Sequence, residues 1–397
     1  MKTRKHWLLT YVLILIFLLV ANGCGCGNDD ESNEDEEAGA GMKIIAPPDG
    51  GMYIGQSEIT EGARETLEQA IGRKAAIWAR MDIMTGMEES DEHALNFNLQ
   101  AAQDAWDNGY VVMVGAYEAH PGHGSFTVDK LLNGEYDEDL ARVAEQFRQF
   151  GKPMFFSTAR EPNGVLSQYM GGFGPDGDQG WEAGDLVGQF TPPETPSGNP
   201  DLYDGLGDDT VCDGIERLAA AQRYYYDFFV RREGVDFLTF ETMGWVVPIW
   251  EGPEPETEVC LDWKVFYDLL EGYADWVSIN FYLFGEQEQL VVTDYLDYFD
   301  DFMTDNVRKV APDMPVLITE LGFCGEQVPE KITQGLNHFL SNYPEINGFM
   351  LWGDYDMDCQ IEPGQEGDAF KAVIEANPDM FKSCVSLSDG STLPGCE

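Results

Sequence analysis

The sequence predicts an α/β fold: one (β/α)8 TIM barrel, a single catalytic domain with a long loop after its fourth strand. Three observations predict it. Apolar runs of strand character recur eight times along the chain. Stretches of helical length, apolar at i, i+3 and i+4, lie between them. Strand and helix alternate with few exceptions, which implies a parallel sheet with right-handed crossovers. Eight such strands close economically into a barrel. A doubly wound open sheet is the alternative, but its GxGxxG phosphate fingerprint after the first strand is absent.

In order, the strand runs are MYIGQS (52–57), AAIWARMDI (75–83), VVMVGAYEA (111–119), PMFFSTARE (153–161), DFLTFETMGW (236–245), WVSINFYLFG (276–285), MPVLITELGF (314–323) and NGFMLWGDY (347–355). Helical patterns include ITEGARETLEQAIGRK, EDLARVAEQFRQFGK, CDGIERLAAAQRYYYDFFVRREG, PEKITQGLNHFLSNY and EGDAFKAVIEANPDMF. The insertion 165–210, rich in Gly, Asp and Pro, follows the fourth strand. A βα loop there lies over the C-terminal mouth of a barrel and shapes its cleft.

The chain has 397 residues, 43% of them hydrophobic, enough for a substantial core. Its 72 acidic and 23 basic residues give a formal net charge of -49. That excludes nucleic-acid binding, which needs Lys and Arg to replace counterions. It also disfavours docking on anionic lipid headgroups. The tract DDESNEDEE holds only seven of the acids, so the excess is spread over the folded part. Such acidity resembles proteins of salt-loving organisms, where screening blunts self-repulsion; a merely acidic secreted protein is the other reading.

Residues 1–23 read as a lipoprotein signal peptide. Lys2, Arg4 and Lys5 precede an apolar run from Trp7 to Val20, too short for a comfortable membrane span. Ala21-Asn22-Gly23-Cys24 looks like a bacterial lipobox with Cys24 as the lipidated residue. Cys26 is a second candidate, and an ordinary cleaved signal the alternative; both imply export. An acidic tether (24–48), the barrel domain (49–383) and a C-terminal tail (384–397) follow. The expected state is a monomer that meets the membrane only through a lipid anchor, on the cell envelope or surface.

Export makes disulfides the natural fate of Cys212, Cys260, Cys324, Cys359, Cys384 and Cys396. No CxxC pair suggests zinc or redox chemistry. Cys324 and Cys359 fall just past the seventh and eighth strands, barrel neighbours, where a disulfide would brace the rim. Cys384 and Cys396 would close a small loop in the tail.

Barrel active sites gather where the strands end, so the strand ends carry the functional reading. The fourth strand ends Arg160-Glu161-Pro162-Asn163 and the seventh Thr319-Glu320-Leu321-Gly322. Those two strands approach each other across the mouth. Two carboxylates there can lie about 5–5.5 Å apart, the separation of a retaining glycosidase. Glu161 is the expected acid/base and Glu320 the expected nucleophile. Arg80, ending the second strand, is positioned to keep Glu320 ionised. Tyr117, Tyr282, Trp245 and Trp352 offer flat faces to sugar rings, and His120 and Asn163 offer directed hydrogen bonds. Trp181, Trp250 and Tyr169 would extend the cleft outward.

These residues resemble glycoside hydrolase family 26 of the clan A glycosidases. The likeness is carried by Arg160-Glu161-Pro162-Asn163-Gly164, His120-Pro121, the Thr-Glu-Leu-Gly from Thr319 and Trp352, over roughly residues 50–380. It implies a β-mannanase-like retaining enzyme, with β-glucan and xylan as further substrates, and no organic cofactor or metal. The sequence departs from the family where the sugar at the cleavage point is read. Arg160 stands where mannanases usually carry His, Ala119 precedes His120, and Val165 and Leu166 replace an aromatic.

Other readings are open. The HPGH from His120 to His123 suggests a metal-dependent hydrolase, although no matching ligand set is visible. Asp176-Gly177-Asp178 lacks the spacing of a calcium loop and reads as solvated. A glycan-binding surface lipoprotein without activity is the competing class, since fold does not fix function.

Overall fold

Phe155 and Phe156 are neighbours in sequence and pack on opposite sides of a barrel wall. Phe155 meets Trp276 at 5.4 Å between ring centroids, edge to face. Phe156 packs outward against Phe147, Phe229, Tyr225 and Phe240 at 4.9–6.3 Å. This is the two-residue period of a strand buried on both faces. Each of these rings contributes about 1.5–3 kcal/mol by leaving water.

The computed structural model describes residues 44–58, 62–82, 95–115, 131–132, 134–158, 213–246, 270–283, 292–353, 359 and 361–393. At 58, 79–82, 213–218, 243–246, 310 and 353 only the backbone is described. The chain divides into two units, Met1–Gly41 and Met42–Glu397. The second holds the following elements: β1 (Ile45–Ala46), β2 (Met52–Glu58), α1 (Ala63–Ile71), β3 (Ile77–Asp82), α2 (Leu99–Asp107), β4 (Val111–Gly115), α3 (Asp137–Phe150) and β5 (Met154–Ser157). Next come α4 (Asp213–Tyr226), β6 (Leu238–Val246), β7 (Trp276–Leu283), α5 (Val292–Phe302), β8 (Val316–Phe323), α6 (Val328–Asn342), β9 (Ile346–Gly353), α7 (Gln365–Ala376), β10 (Phe381–Lys382) and β11 (Ser386–Leu387).

Strands β2 to β9 pair in sequence order, all parallel, and β9 pairs back onto β2. This is a closed eight-stranded (β/α)8 TIM barrel, as the alternation predicted. The fourth strand is described as far as Ser157, and residues 159–161 of its apolar run lie outside the described residues. Its ladder with β4 closes at Gly115↔Ser157, and Thr158 leaves the strand. The loop 165–210 lies outside the described residues.

Helix ends follow local chemistry. α3 begins with Asp137, Glu138 and Asp139, favourable at the positive end of the helix dipole. It stops at Gly151 (φ 58°), whose N–H bonds the Phe147 carbonyl at 2.8 Å. α4 continues as a π-helical segment, Asp227–Arg232, which lets the consecutive Phe228 and Phe229 both be buried. No helix among the described residues is long and apolar enough to cross a membrane.

Three two-residue strands were not visible in the sequence pattern. β1 pairs antiparallel with β11, and β10 joins the start of β2. The β1–β11 pair fastens to the N-terminal end of the barrel. Ile45 N–H bonds Thr239 Oγ1 at 2.8 Å, and Trp276 Nε1 bonds the Ile45 carbonyl at 3.0 Å. Tyr53 OH donates to the Ala46 carbonyl at 2.9 Å and accepts from Ser386 N–H at 2.9 Å. The N-terminal end is therefore stitched shut beneath the strands, leaving the C-terminal end for a site.

Candidate active site

Register decides which strand ends meet. Trp245 on β6 lies opposite Asn280 on β7, and Asn280 lies opposite Glu320 on β8. Tyr282 lies opposite Gly322, and Trp352 on β9 opposite Ser57 on β2. Glu320 is buried, and the hydroxyl of buried Tyr282 donates to its Oε2. Trp352 stands edge-on to Tyr282, with centroids 6.1 Å apart at 90°. Thr319 Oγ1 bonds Asn280 Oδ1 at 2.8 Å.

Thr319 and Glu320 are consecutive, so regular pleating would send them to opposite faces. Instead both meet the same face of β7, Thr319 at Asn280 and Glu320 at Tyr282. The cause is an irregularity in the ladder. Register shifts between Ile279 and Asn280 on one side of β8, and between Ile318 and Leu321 on the other. Arg80 lies at a second such shift, between Ala79 and Met81 on β3. Bulges of this kind re-aim side chains beside active sites.

Of the residues predicted for the site, the structure brings Glu320, Tyr282 and Trp352 together. Arg80 and Trp245 are on β3 and β6, where only the backbone is described. Glu161, Arg160, Asn163, Tyr117 and His120 lie outside the described residues, as do His123, Trp181, Trp250, Tyr169 and the Asp176–Asp178 segment. Among the described residues no group of His, Cys, Asp and Glu could hold a metal ion. Cys324 and Cys359 form a disulfide. Cys384 is also disulfide-bonded, to a partner outside the described residues. Cys24, Cys212, Cys260 and Cys396 are outside them too.

Sequence reasoning missed three residues. Asn280 and Thr319 are buried and bonded to each other beneath Glu320. Glu241 on β6 is fully buried, in register with Ser157 on β5 and Trp276 on β7. Its carboxyl oxygens are buried, and the Ser157 hydroxyl is the polar group beside them. Burial pushes its pKa up to about 8, an effect that nearby Ser157 offsets only in part. The signal was available: in DFLTFETMGW, Glu241 occupies the same alternate position as Thr239 and Trp245, inside a largely apolar run.

A buried carboxylate, a tyrosine and a tryptophan thus gather at the C-terminal mouth of a closed (β/α)8 barrel. The sequence matches no protein-family model and no curated protein. The fold is that of the glycoside hydrolase family 26 structures. It is similar to GH26C from Muricauda sp. MAR_2010_75 (TM-score 0.52, 14% identity, covering 84% of this chain and 87% of that one). GH26A from the same organism is similar too (TM-score 0.51, 17% identity, 86% and 93% covered). A third is the GH26 domain of an endo-β-mannanase/endo-β-glucanase from Prevotella bryantii (TM-score 0.50, 12% identity, 86% and 92% covered).

Proposed function

We propose that this protein is a retaining endo-β-glycosidase acting on a β-linked polysaccharide, β-1,4-mannan or a related β-glucan or xylan. One observation carries the reading: Glu320 is buried at the end of the seventh barrel strand, held by Tyr282, with Trp352 alongside. A carboxylate fixed at the mouth is what attack on an anomeric carbon requires. The Prevotella bryantii neighbour, an endo-β-mannanase/endo-β-glucanase by name, supports the choice of polymers.

The chemistry is a double displacement. Glu161 gives its proton to the glycosidic oxygen as that bond breaks, while a Glu320 oxygen bonds the anomeric carbon. Glu161, now ionised, takes a proton from water, and the water oxygen displaces Glu320 with net retention. Arg80, Tyr117, His120, Arg160, Asn163, Trp245, Tyr282 and Trp352 contact the sugars or the two carboxylates. The steps need neither cofactor nor metal. The enzyme works outside the cytoplasm as a monomer, anchored through lipidated Cys24.

The test is reducing-sugar release by the protein from about residue 42 onward, at low and high salt. The panel is glucomannan, galactomannan, mixed-linkage β-glucan, β-1,4-xylan and β-1,3-xylan. Activity on one polymer that Glu320→Ala abolishes is the expected result. Folded protein that cleaves none of them, yet binds one, would falsify catalysis and leave the glycan binder. For the anchor, Cys24→Ala should move the protein from the membrane fraction to the soluble one; an unchanged distribution overturns it.

A further inference from the structure

Tyr282, Cys324, Trp352 and Cys359 form a small buried cluster of their own, separate from the main core among the described residues. The Cys324–Cys359 disulfide joins the residue after β8 to the segment after β9. Gly322 lies within this cluster, where a Cβ would come 2.4 Å from Tyr282 Cδ1 and 3.1 Å from Cys324 Sγ. The Tyr282 ring therefore occupies a slot. Its floor is the bare backbone of Gly322, Cys324 Sγ stands over the same glycine within the same buried cluster, and Trp352 packs edge-on against the ring.

Cys324 is itself held on two sides. Its N–H bonds the Leu283 carbonyl at 3.0 Å, and its carbonyl accepts from Lys331 Nζ at 2.6 Å. The end of β7, the end of β8 and the chain after β9 are thus fastened around one ring. That ring's hydroxyl reaches Glu320. Closely packed interiors transmit displacement, so loss of the disulfide lets the ring tilt and carries the hydroxyl off the carboxylate.

We propose that the Cys324–Cys359 disulfide is a positioning element for the Tyr282–Glu320 pair. It closes the slot that aims the phenol and, through the phenol, aims the carboxylate. This rests on the reading of Glu320 as nucleophile. A disulfide that acted only by shortening the unfolded chain would need no aromatic in its cluster. Here Cys324 Sγ stands over the glycine that floors the slot.

The experiment uses Cys324→Ala/Cys359→Ala in the exported chain, which leaves the Cys384 disulfide in place as reductant would not. On the polymer the wild type cleaves, kcat should fall about tenfold, part of the hundredfold that a 1 Å misplacement costs, with KM within about twofold. In a Tyr282→Phe background the same double substitution should change kcat by less than about twofold, because its route to Glu320 is already cut. An equal loss in both backgrounds, or a lower Tm with kcat unchanged, overturns the proposal. Gly322→Ala, which presses on the ring from below with the disulfide intact, should reproduce the kcat loss and serves if the cysteine variant does not fold. A crystal structure of whichever variant folds reads the geometry without activity. A Tyr282–Glu320 hydrogen bond kept intact there overturns the inference; a broken one supports it. Should the wild type cleave nothing, the reading of Glu320 fails on its own, and the crystal structure still decides the positioning role.

Discussion

Glu241 and Glu320 sit two strands apart in the same barrel, and both are shut away from water, at 0% and 4% exposure. Their surroundings differ. Glu320 accepts a hydrogen bond from Tyr282 and lies at the mouth, where β8 is irregular. Glu241 lies on a regular stretch of β6, where burial outweighs the hydroxyl of Ser157 beside its carboxyl. Burial alone raises a carboxyl group's pKa, and directed donors are what make an ionised carboxylate tolerable inside a protein. The same residue type, equally buried, thus has a phenol donor in one place and is pushed toward its protonated form in the other.

The largest effect should come from exchanging each carboxyl for an amide. Glu320→Gln should lower kcat by about 10³-fold or more, as removal of a catalytic group does, with Tm nearly unchanged. Glu241→Gln should leave kcat within about threefold. Steady-state kinetics on the cleaved polymer compares them directly. Equal losses would erase the distinction between the two glutamates.

The second prediction concerns pH. Burial pushes the Glu241 carboxyl up to about 8 in the fold, from the ordinary 4.5 of a glutamate in the open chain. The native state then holds a proton that the unfolded chain has released between those two values. Stability contributed by this group is present below about 4.5 and declines as pH rises toward 8, by at most about 1.4 kcal/mol per pH unit. Glu241→Gln removes that slope, so the variant should gain on the wild type progressively from pH 5 to pH 8. Urea midpoints at the two pH values measure it. A constant difference would mean that Glu241 loses its proton at the same pH in the folded and unfolded chain.

Tyr282→Phe should come next, with a loss of about 10- to 100-fold in kcat for one donor removed from a reacting carboxylate. Stability should change by no more than about 1–2 kcal/mol. A rate loss that tracks the loss in Tm instead would place Tyr282 among ordinary packing residues. Smallest is Thr319→Val. It removes the 2.8 Å bond to Asn280 and leaves a buried amide oxygen short of a donor, at about 1–3 kcal/mol of stability. A chemical-denaturation curve checks it, and a change below about 0.3 kcal/mol would show that the pair does not matter.

The irregular stretch of β8 shows where sequence reading stopped. MPVLITELGF alternates well enough to be recognised as a strand, yet alternation puts Thr319 and Glu320 on opposite faces. The ladder slips by one, and both reach β7. Nothing in the run marks the slip, because a bulge arises from how neighbouring strands twist together. The fourth strand shows the reverse. PMFFSTARE reads as strand up to Glu161, whereas Thr158 already lies outside the strand; residues 159–161 are outside the described residues. Glu241 was legible in principle: its position in the alternation faces it inward, and a charge there asks for an explanation. The β1–β11 pair was not legible, since two residues carry no period.

Periodicity and composition are local, and they were enough for eight strands, helices between them, and Glu320, Tyr282 and Trp352 near the strand ends. The contact between Tyr282 and Glu320 spans 38 residues. The gathering of the Cys324–Cys359 disulfide and that tyrosine in one cluster, and the burial of Glu241, depend on the register of several strands at once. Register comes from how the closed barrel satisfies all its ladders together, so these features arose in the folded barrel and in no single stretch of the chain.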